Sequence, residues 1–299
     1  MKKLLNLDSI KNFYVLFFAF AFIFTPPAFA KKKEPKEDIT PIVELHQKMN
    51  EKHGKTASYY ANLYVADGEY DKAYKYYMDE CRLGSVMSCL NAYYIGEERA
   101  LAMYDSPAFV EALQKSINVS IAACKQGESL GCANVFFAFD ALNDENDFIT
   151  NAVQESVDGF NNESLVDKAL KLTKQECAND DATSCFLYAR MQRSIDNYMD
   201  VEEYIDKGLD LGYVLAPFVH LPMQSPQTIN YFKRSCSLNE ALSCKYVAYW
   251  FDKYENDTIR ANEFYKKACN LGLNSACDNA RKSKKAKLDE MGSPTLDRR

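Results

Sequence analysis

Cys269-Asn-Leu-Gly272-Leu-Asn-Ser-Ala-Cys277 is the stretch on which the fold turns, because its outline recurs four more times. Cys81/Cys89, Cys124/Cys132, Cys177/Cys185 and Cys236/Cys244 keep the same interval, so all ten cysteines of the 299-residue chain fall into five pairs. Residues eight apart on one straight helix are separated by about 12 Å of rise. A disulfide needs Cα atoms about 4.4 to 6.8 Å apart. If these pairs are bonded, the chain reverses between the members of each. The predicted unit is a helix ending at the first cysteine, a tight turn, and a second helix starting near the second. Three residues after each first cysteine stand Gly84, Gly127, Asp180, Asn239 and Gly272, all types that tolerate the left-handed conformation in which helices commonly end. The segment GLDLGYVLA, from Gly208 to Ala216, reads as a sixth junction without cysteines, with Gly212 in the capping slot. Counting back from Cys81, Ala57 falls near the second-cysteine position of one more unit.

Helical spacing runs through the rest of the chain. Ala73, Tyr77 and Cys81 share one helix face, as do Ala261, Tyr265 and Cys269. Strand signals are absent. Thr40-Pro41 reads as an N-cap followed by proline at the first helical position, opening a helix through about Lys52 that caps the array. Spacing between units is uneven, with extra chain around Glu97–Pro107 and Asn143–Glu163; these insertions read as loops on one side of the array, either functional or merely tolerated. Repeats that contact only their neighbours form one elongated domain, here residues 41–282.

The N-terminus reads as a secretory signal peptide over residues 1–30. Lys2, Lys3 and Lys11 precede the apolar run Phe13–Phe24, and Ala28-Phe29-Ala30 is an A-x-A cleavage site followed by a charged linker, residues 31–40. The apolar run is too short for a membrane span of about 20 residues. The expected product is secreted or periplasmic, cleaved after Ala30, where disulfides persist. Residues 1–30 carry three lysines and one aspartate, a net +2, so their removal takes the formal charge from −6 to −8. That balance argues against nucleic acid and against broad attachment to anionic lipid. After Arg281 a basic stretch leads into Gly292-Ser293-Pro294, read as a disordered tail over 283–299.

Asp71-Lys72-Ala73, Tyr76-Tyr77 and Cys81-x7-Cys89-Leu90-Asn91 are echoed by Asp167-Lys168-Ala169 before Cys177 and by Cys132-Ala133-Asn134. This combination resembles the Sel-one-like repeat. More narrowly, it is similar to the secreted Helicobacter cysteine-rich proteins, over roughly residues 56–282. The resemblance implies an all-α, right-handed α/α solenoid of tetratricopeptide-like helix pairs, each stapled by one local disulfide between Cys81 and Cys89, Cys124 and Cys132, Cys177 and Cys185, Cys236 and Cys244, or Cys269 and Cys277. It also implies penicillin binding or β-lactamase activity. The chain departs from the pattern in its unequal repeats, in the cysteine-free junction at Gly208 and Ala216, and in the segment Pro217–Pro226.

The residues themselves do not supply that chemistry. A serine β-lactamase needs S-x-x-K, which occurs nowhere in the chain. His46, His53 and His220 show neither H-x-H nor H-E-x-x-H spacing, and His46 and His53, seven apart, read as exposed polar residues, with no metal site, no cofactor and no assignable catalytic residue. A binding scaffold has more support. Asn91, Asn134 and Asn279 each stand two residues after a second cysteine, at equivalent points on the helices that line the inner curve in tetratricopeptide-like arrays. Amides there suit gripping the backbone of an extended peptide, or simply satisfy local backbone groups. Tyr94 and Tyr188 add aromatic contact area. The expected partner is a protein, a peptide or a peptidoglycan-like ligand on the concave face of a monomer, with no nucleic acid and no stable membrane anchor.

Overall fold

The computed structural model describes residues 37–101, 104–143, 147–157, 162–195, 201–218 and 225–281. Residues 1–36, read as a signal peptide and the start of a linker, His220 and the basic stretch after Arg281 lie outside the described residues. In chain order the helices are α1 (Thr40–Glu51), α2 (Ala57–Asp67), α3 (Tyr70–Cys81), α4 (Val86–Glu98), α5 (Pro107–Gln126), α6 (Ser129–Asp140) and α7 (Asp147–Val157). They continue as α8 (Asn162–Ala178), α9 (Ala182–Ser194), α10 (Val201–Asp210), α11 (Pro226–Ser237), α12 (Ala241–Lys253), α13 (Thr258–Asn270) and α14 (274–281). No strand occurs among the described residues. Successive helices pack as pairs, giving a disulfide-stapled helical repeat array.

All five cysteine pairs are bonded locally, with Cα atoms 4.3 to 4.8 Å apart. Each bridge joins the last turn of one helix to the first turn of the next: α3 to α4, α5 to α6, α8 to α9, α11 to α12 and α13 to α14. The turn carries the same hydrogen bonds every time. Gly84 N–H donates to Cys81 O (2.8 Å) and Ser85 N–H to Glu80 O (3.2 Å), and the pairs Gly127/Glu128, Asp180/Asp181, Asn239/Glu240 and Gly272/Leu273 repeat both bonds. These bonds satisfy carbonyls that a helix end leaves without partners. They require a left-handed residue, and φ is +103° at Gly84, +68° at Asp180 and +63° at Asn239. A second clasp flanks three of the bridges, where Ser88 Oγ donates to Glu80 (2.6 Å), Ser184 Oγ to Glu176 (2.9 Å) and Ser243 Oγ to Ser235 Oγ (2.9 Å). Ala123 faces Gly131 at that position in the second stapled turn, so closely that a Cβ on Gly131 would lie 2.5 Å from Ala123 Cβ.

The sixth junction keeps the turn, but its register differs by one residue from the expected one. Gly212 N–H donates to Leu209 O (2.9 Å) and Tyr213 N–H to Gly208 O (2.8 Å). Leu209 and Pro217 therefore occupy the cysteine positions, while Gly208 and Ala216 face each other where the other turns place the second clasp. String similarity to the Cys269 turn had put the left-handed glycine one place late. Among the described residues no full second helix follows this turn. A single 3-10 turn, Ala216–Phe218, stands there instead, since Pro217 has no amide hydrogen to offer a helix.

Two further expectations change. The insertion at Asn143–Glu163 contains helix α7, which packs on α5 through buried Ile149, Val153 and Val157. Their four-residue spacing marks one helix face, so the extra chain is an added structural element. Helix α1 begins at Thr40 itself, with Ile39 at the N-cap. Asp38 Oδ1 accepts the Thr40 N–H (3.0 Å) in the capping role.

Helix α1 does more than cap the array. Ile42, Leu45, His46 and Met49 form its buried face, and it crosses the ends of successive turns as a strap. Ile42 packs against Gly84; His46 reaches Glu128 and Asp181; Asn50 bonds Asp181 (2.5 Å) and accepts the Thr183 N–H (2.9 Å). Past its end, His53 O accepts the Val214 N–H (3.1 Å), and Lys55 Nζ donates to Asn239 O (3.1 Å). Helix α2 then returns beside α3 and meets the last repeats. Asp67 caps α14 by accepting the N–H groups of Asn274 (3.0 Å) and Ser275 (2.7 Å), the latter 208 residues away. A simple solenoid touches only its neighbours; this one is tied end to end by its first hairpin. Five disulfides belong to an oxidising setting, extracellular or periplasmic, and no described helix is long and apolar enough to cross a membrane.

Candidate functional site

The inner wall of the array is built from the helices that carry the second cysteine of each pair. With α2 across it, that wall encloses a cavity of about 850 Å³, within the usual range for ligand sites. Asn91 of α4, Asn134 of α6 and Asn279 of α14 all line this one space. Their common offset from the cysteine does place them on a common surface.

The three amides are not equivalent. Asn134 is buried, and its Nδ2 donates to Gly84 O (2.9 Å), which also accepts from Ser120 Oγ (3.2 Å). It satisfies a carbonyl of the neighbouring turn, so its replacement would disturb folding. Asn91 and Asn279 are half-buried. The two tyrosines lie elsewhere: Tyr188 is buried and accepts from Gln192 Nε2 (2.7 Å), while Tyr94 is exposed and packs edge-on against Tyr93. Aromatic lining comes instead from Tyr246, Tyr249 and Tyr254 around α12 and from Tyr265 of α13.

Charge in the cavity was missed by sequence reasoning. Glu80, Arg190 and Lys245 line it, an excess of cation in a chain whose formal net charge is −6. Glu80 is held by the Ser58 N–H (3.2 Å) and Ser88 Oγ. Arg190 lies over the Phe137 ring at 5.4 Å, and among the described residues no carboxylate comes within ion-pair distance of it. Burial lowers its guanidinium to about 10, against the opposing charge of Asp140. Burial likewise lowers Lys245, opposed by Asp67. Both positions were readable: Arg190 stands five residues after its cysteine, where other repeats place Tyr94, Phe137 and Tyr249. Lys245 directly follows Cys244, where others place Leu90, Ala133 and Phe186.

A second polar cluster sits under the strap. His46 is buried, contrary to its reading as an exposed residue, because its helix face packs onto two helix N-termini. Its Nδ1 lies 2.6 Å from Glu128 Oε1 and its Nε2 3.2 Å from Asp181 Oδ1. Burial opposes the charged ring, but Asp181 and Glu128 outweigh it and raise His46 to about 10. Asp181, despite burial, is drawn down to about 2 by His46 and the Ser184 N–H. His53 is exposed and lines a separate pocket of about 390 Å³ with Asn50, Asp180 and Asp181. No family model matches this chain, and no curated protein matches it.

Proposed function

We propose that the chain is an exported binding scaffold of the Sel-one-like type, whose inner cavity takes an extended peptide segment carrying a carboxylate. The segment belongs to a protein, a free peptide or a cell-wall fragment. The observation that carries this reading is Arg190, a guanidinium that no carboxylate among the described residues meets at ion-pair distance, in the wall of the cavity that Asn91 and Asn279 line. A desolvated cation in a concave site favours an anionic group there. The side-chain amides of Asn91 and Asn279 match peptide donors and acceptors, and the tyrosines supply flat contact area. Export rests on the lysine-flanked apolar run and the Ala28-Phe29-Ala30 site, together with the five disulfides.

Fluorescence anisotropy with labelled hexapeptides tests the reading, comparing a free C-terminal carboxylate with its amide. Saturable binding is expected, weakened at least tenfold by amidation and by Arg190→Met, and several-fold by Asn91→Ala. Equal affinity for both peptide forms, or no binding to either, overturns it.

A hydrolase reading has one contact in its favour, Lys245 Nζ at 3.1 Å from Ser275 Oγ. A serine nucleophile also needs backbone donors aimed at the developing oxyanion. The N–H groups of Asn274 and Ser275 beside that hydroxyl are already bound by Asp67. Turnover of a chromogenic cephalosporin, lost in Ser275→Ala, would establish this reading instead.

A further inference from the structure

We propose that His46, Glu176 and Asp181 form a site for a divalent transition-metal ion of the zinc class, which locks the strap α1 onto the turn between α8 and α9. One ligand atom from each of the three lies within 4.8 Å of the others. His46 Nε2 and Asp181 Oδ1 are already 3.2 Å apart, close to the edge of a tetrahedron with metal–ligand bonds of about 2.0 to 2.2 Å. His46 Nδ1 is held by Glu128 at 2.6 Å. A carboxylate on the far nitrogen keeps the Nδ1 proton and strengthens the imidazole as a ligand, while the ion displaces the Nε2 proton to solvent and takes its place between His46 and Asp181.

The carboxylates keep lone pairs for a metal. Asp181 Oδ1 accepts the Ser184 N–H (2.6 Å), Asp181 Oδ2 accepts from Asn50 (2.5 Å), and Glu176 Oε2 accepts from Ser184 Oγ (2.9 Å). Those bonds orient the ligands without exhausting them. A pocket of about 390 Å³ borders Asn50 and Asp181 and opens the Asp181 side of the cluster to solvent. A nitrogen donor with two carboxylates selects zinc or a neighbouring transition ion over calcium and magnesium, which prefer all-oxygen shells. With all ten cysteines in disulfides, no thiolate competes for the ion. The site is independent of the peptide cavity, so neither proposal stands or falls with the other.

The test is thermal unfolding of the oxidised mature chain with and without zinc chloride, followed by zinc-edge X-ray absorption on the loaded protein. At about a hundredfold excess over Kd, an ion bound only by the folded state raises the Tm by roughly 5 °C or more. The absorption spectrum should show one imidazole in a nitrogen and oxygen shell. Glu176→Gln is the decisive variant, because it removes a ligand while leaving the contacts of His46 with Glu128 and Asp181 in place. It is expected to melt like the parent without zinc and to lose at least four-fifths of the zinc-induced shift. His46→Gln should lose the imidazole signature. An equal shift in parent and Glu176→Gln, or no shift and no imidazole in the parent, overturns the proposal and leaves a purely ionic latch.

Discussion

The turn at Gly127 and the turn at Gly212 have the same backbone hydrogen bonds and left-handed residues, with φ of +95° and +84°, yet only the first has a disulfide. The geometry is thus set by the cap, and the bridge is an added constraint on an already specified turn. The cysteine-free turn is held by distant residues instead. Tyr213 is fully buried and stacks on Phe186, with ring centroids 5.3 Å apart. Val214 donates to His53 O, and its own carbonyl accepts from Ser235 Oγ (2.6 Å). Gly54 closes against this turn; a Cβ there would lie 3.0 Å from Tyr213 Cζ. Local covalent closure and long-range strapping are therefore alternative solutions to the same problem, namely fixing a turn between two short helices.

The harshest way to break the comparison is to remove every staple at once. Closing a loop of about nine residues contributes roughly 2 to 3 kcal/mol per bridge in the chain-entropy model. Five bridges are thus comparable with the total stability of about 5 to 15 kcal/mol expected for a folded protein. Full reduction should unfold the array at or below 37 °C, strap included. Circular dichroism melts with and without a phosphine reductant measure this, and a reduced protein melting within a few degrees of the oxidised one would assign the stability to the strap. The next largest effect belongs to the unstapled turn. Tyr213→Ala empties a buried ring site and should cost about 3 to 5 kcal/mol, more than the loss of any single disulfide. Hydrogen exchange should then rise together at residues 50–56 and 209–218, because the two segments hold each other.

What could be read in advance follows from the range of the interactions. The stapled turns were legible because cysteine, left-handed residue and helix face all fall within nine positions. Helix α7 was legible in principle through Ile149, Val153 and Val157, but its Asn- and Asp-rich flanks suggested a loop. The shared offset of Asn91, Asn134 and Asn279 did locate the inner wall. It could not reveal that Asn134 is committed to Gly84 O, a residue 50 positions away. The strap was illegible for the same reason. His46 meets Glu128 and Asp181 across 82 and 135 residues, and no local periodicity encodes such a meeting.

Two glycines in equivalent slots sharpen the contrast between turns that the strap covers and turns that it does not. Gly84 and Gly272 have nearly the same φ, +103° and +99°. Ile42 of the strap fills the space where a Cβ on Gly84 would stand, whereas nothing lies within 4 Å of the same point at Gly272. Gly272→Val should cost only the backbone strain, about 1 to 2 kcal/mol or somewhat more. Gly84→Val adds overpacking, about 1 to 3 kcal/mol more. Urea unfolding measures both. Equal losses would mean that α1 yields at Ile42 and that the strap is looser than its contacts suggest.

The smallest effect tests what kind of contact holds the unstapled turn. The Tyr213 hydroxyl and Thr183 Oγ1 are buried beside each other but out of hydrogen-bond geometry with any described group, and burial pushes the phenol well above its ordinary pKa, with Thr183 opposing the shift. A buried polar group left unsatisfied costs about 1 to 3 kcal/mol. Tyr213→Phe removes that group while keeping the ring, its stacking on Phe186 and its contact with Gly54. The variant should be as stable as the parent or gain up to about 1 kcal/mol, the gain limited by the small void that the oxygen leaves. Tyr77→Phe is the matched control. The Tyr77 hydroxyl donates to Asn62 Oδ1 at 2.6 Å, so that substitution should lose about 0.5 to 1.5 kcal/mol. Opposite signs for the two variants in urea unfolding would establish that apolar ring burial stands in for the missing disulfide. A loss of more than 1 kcal/mol in Tyr213→Phe would instead place a polar network at this turn, and the strap would then act through hydrogen bonding throughout its length.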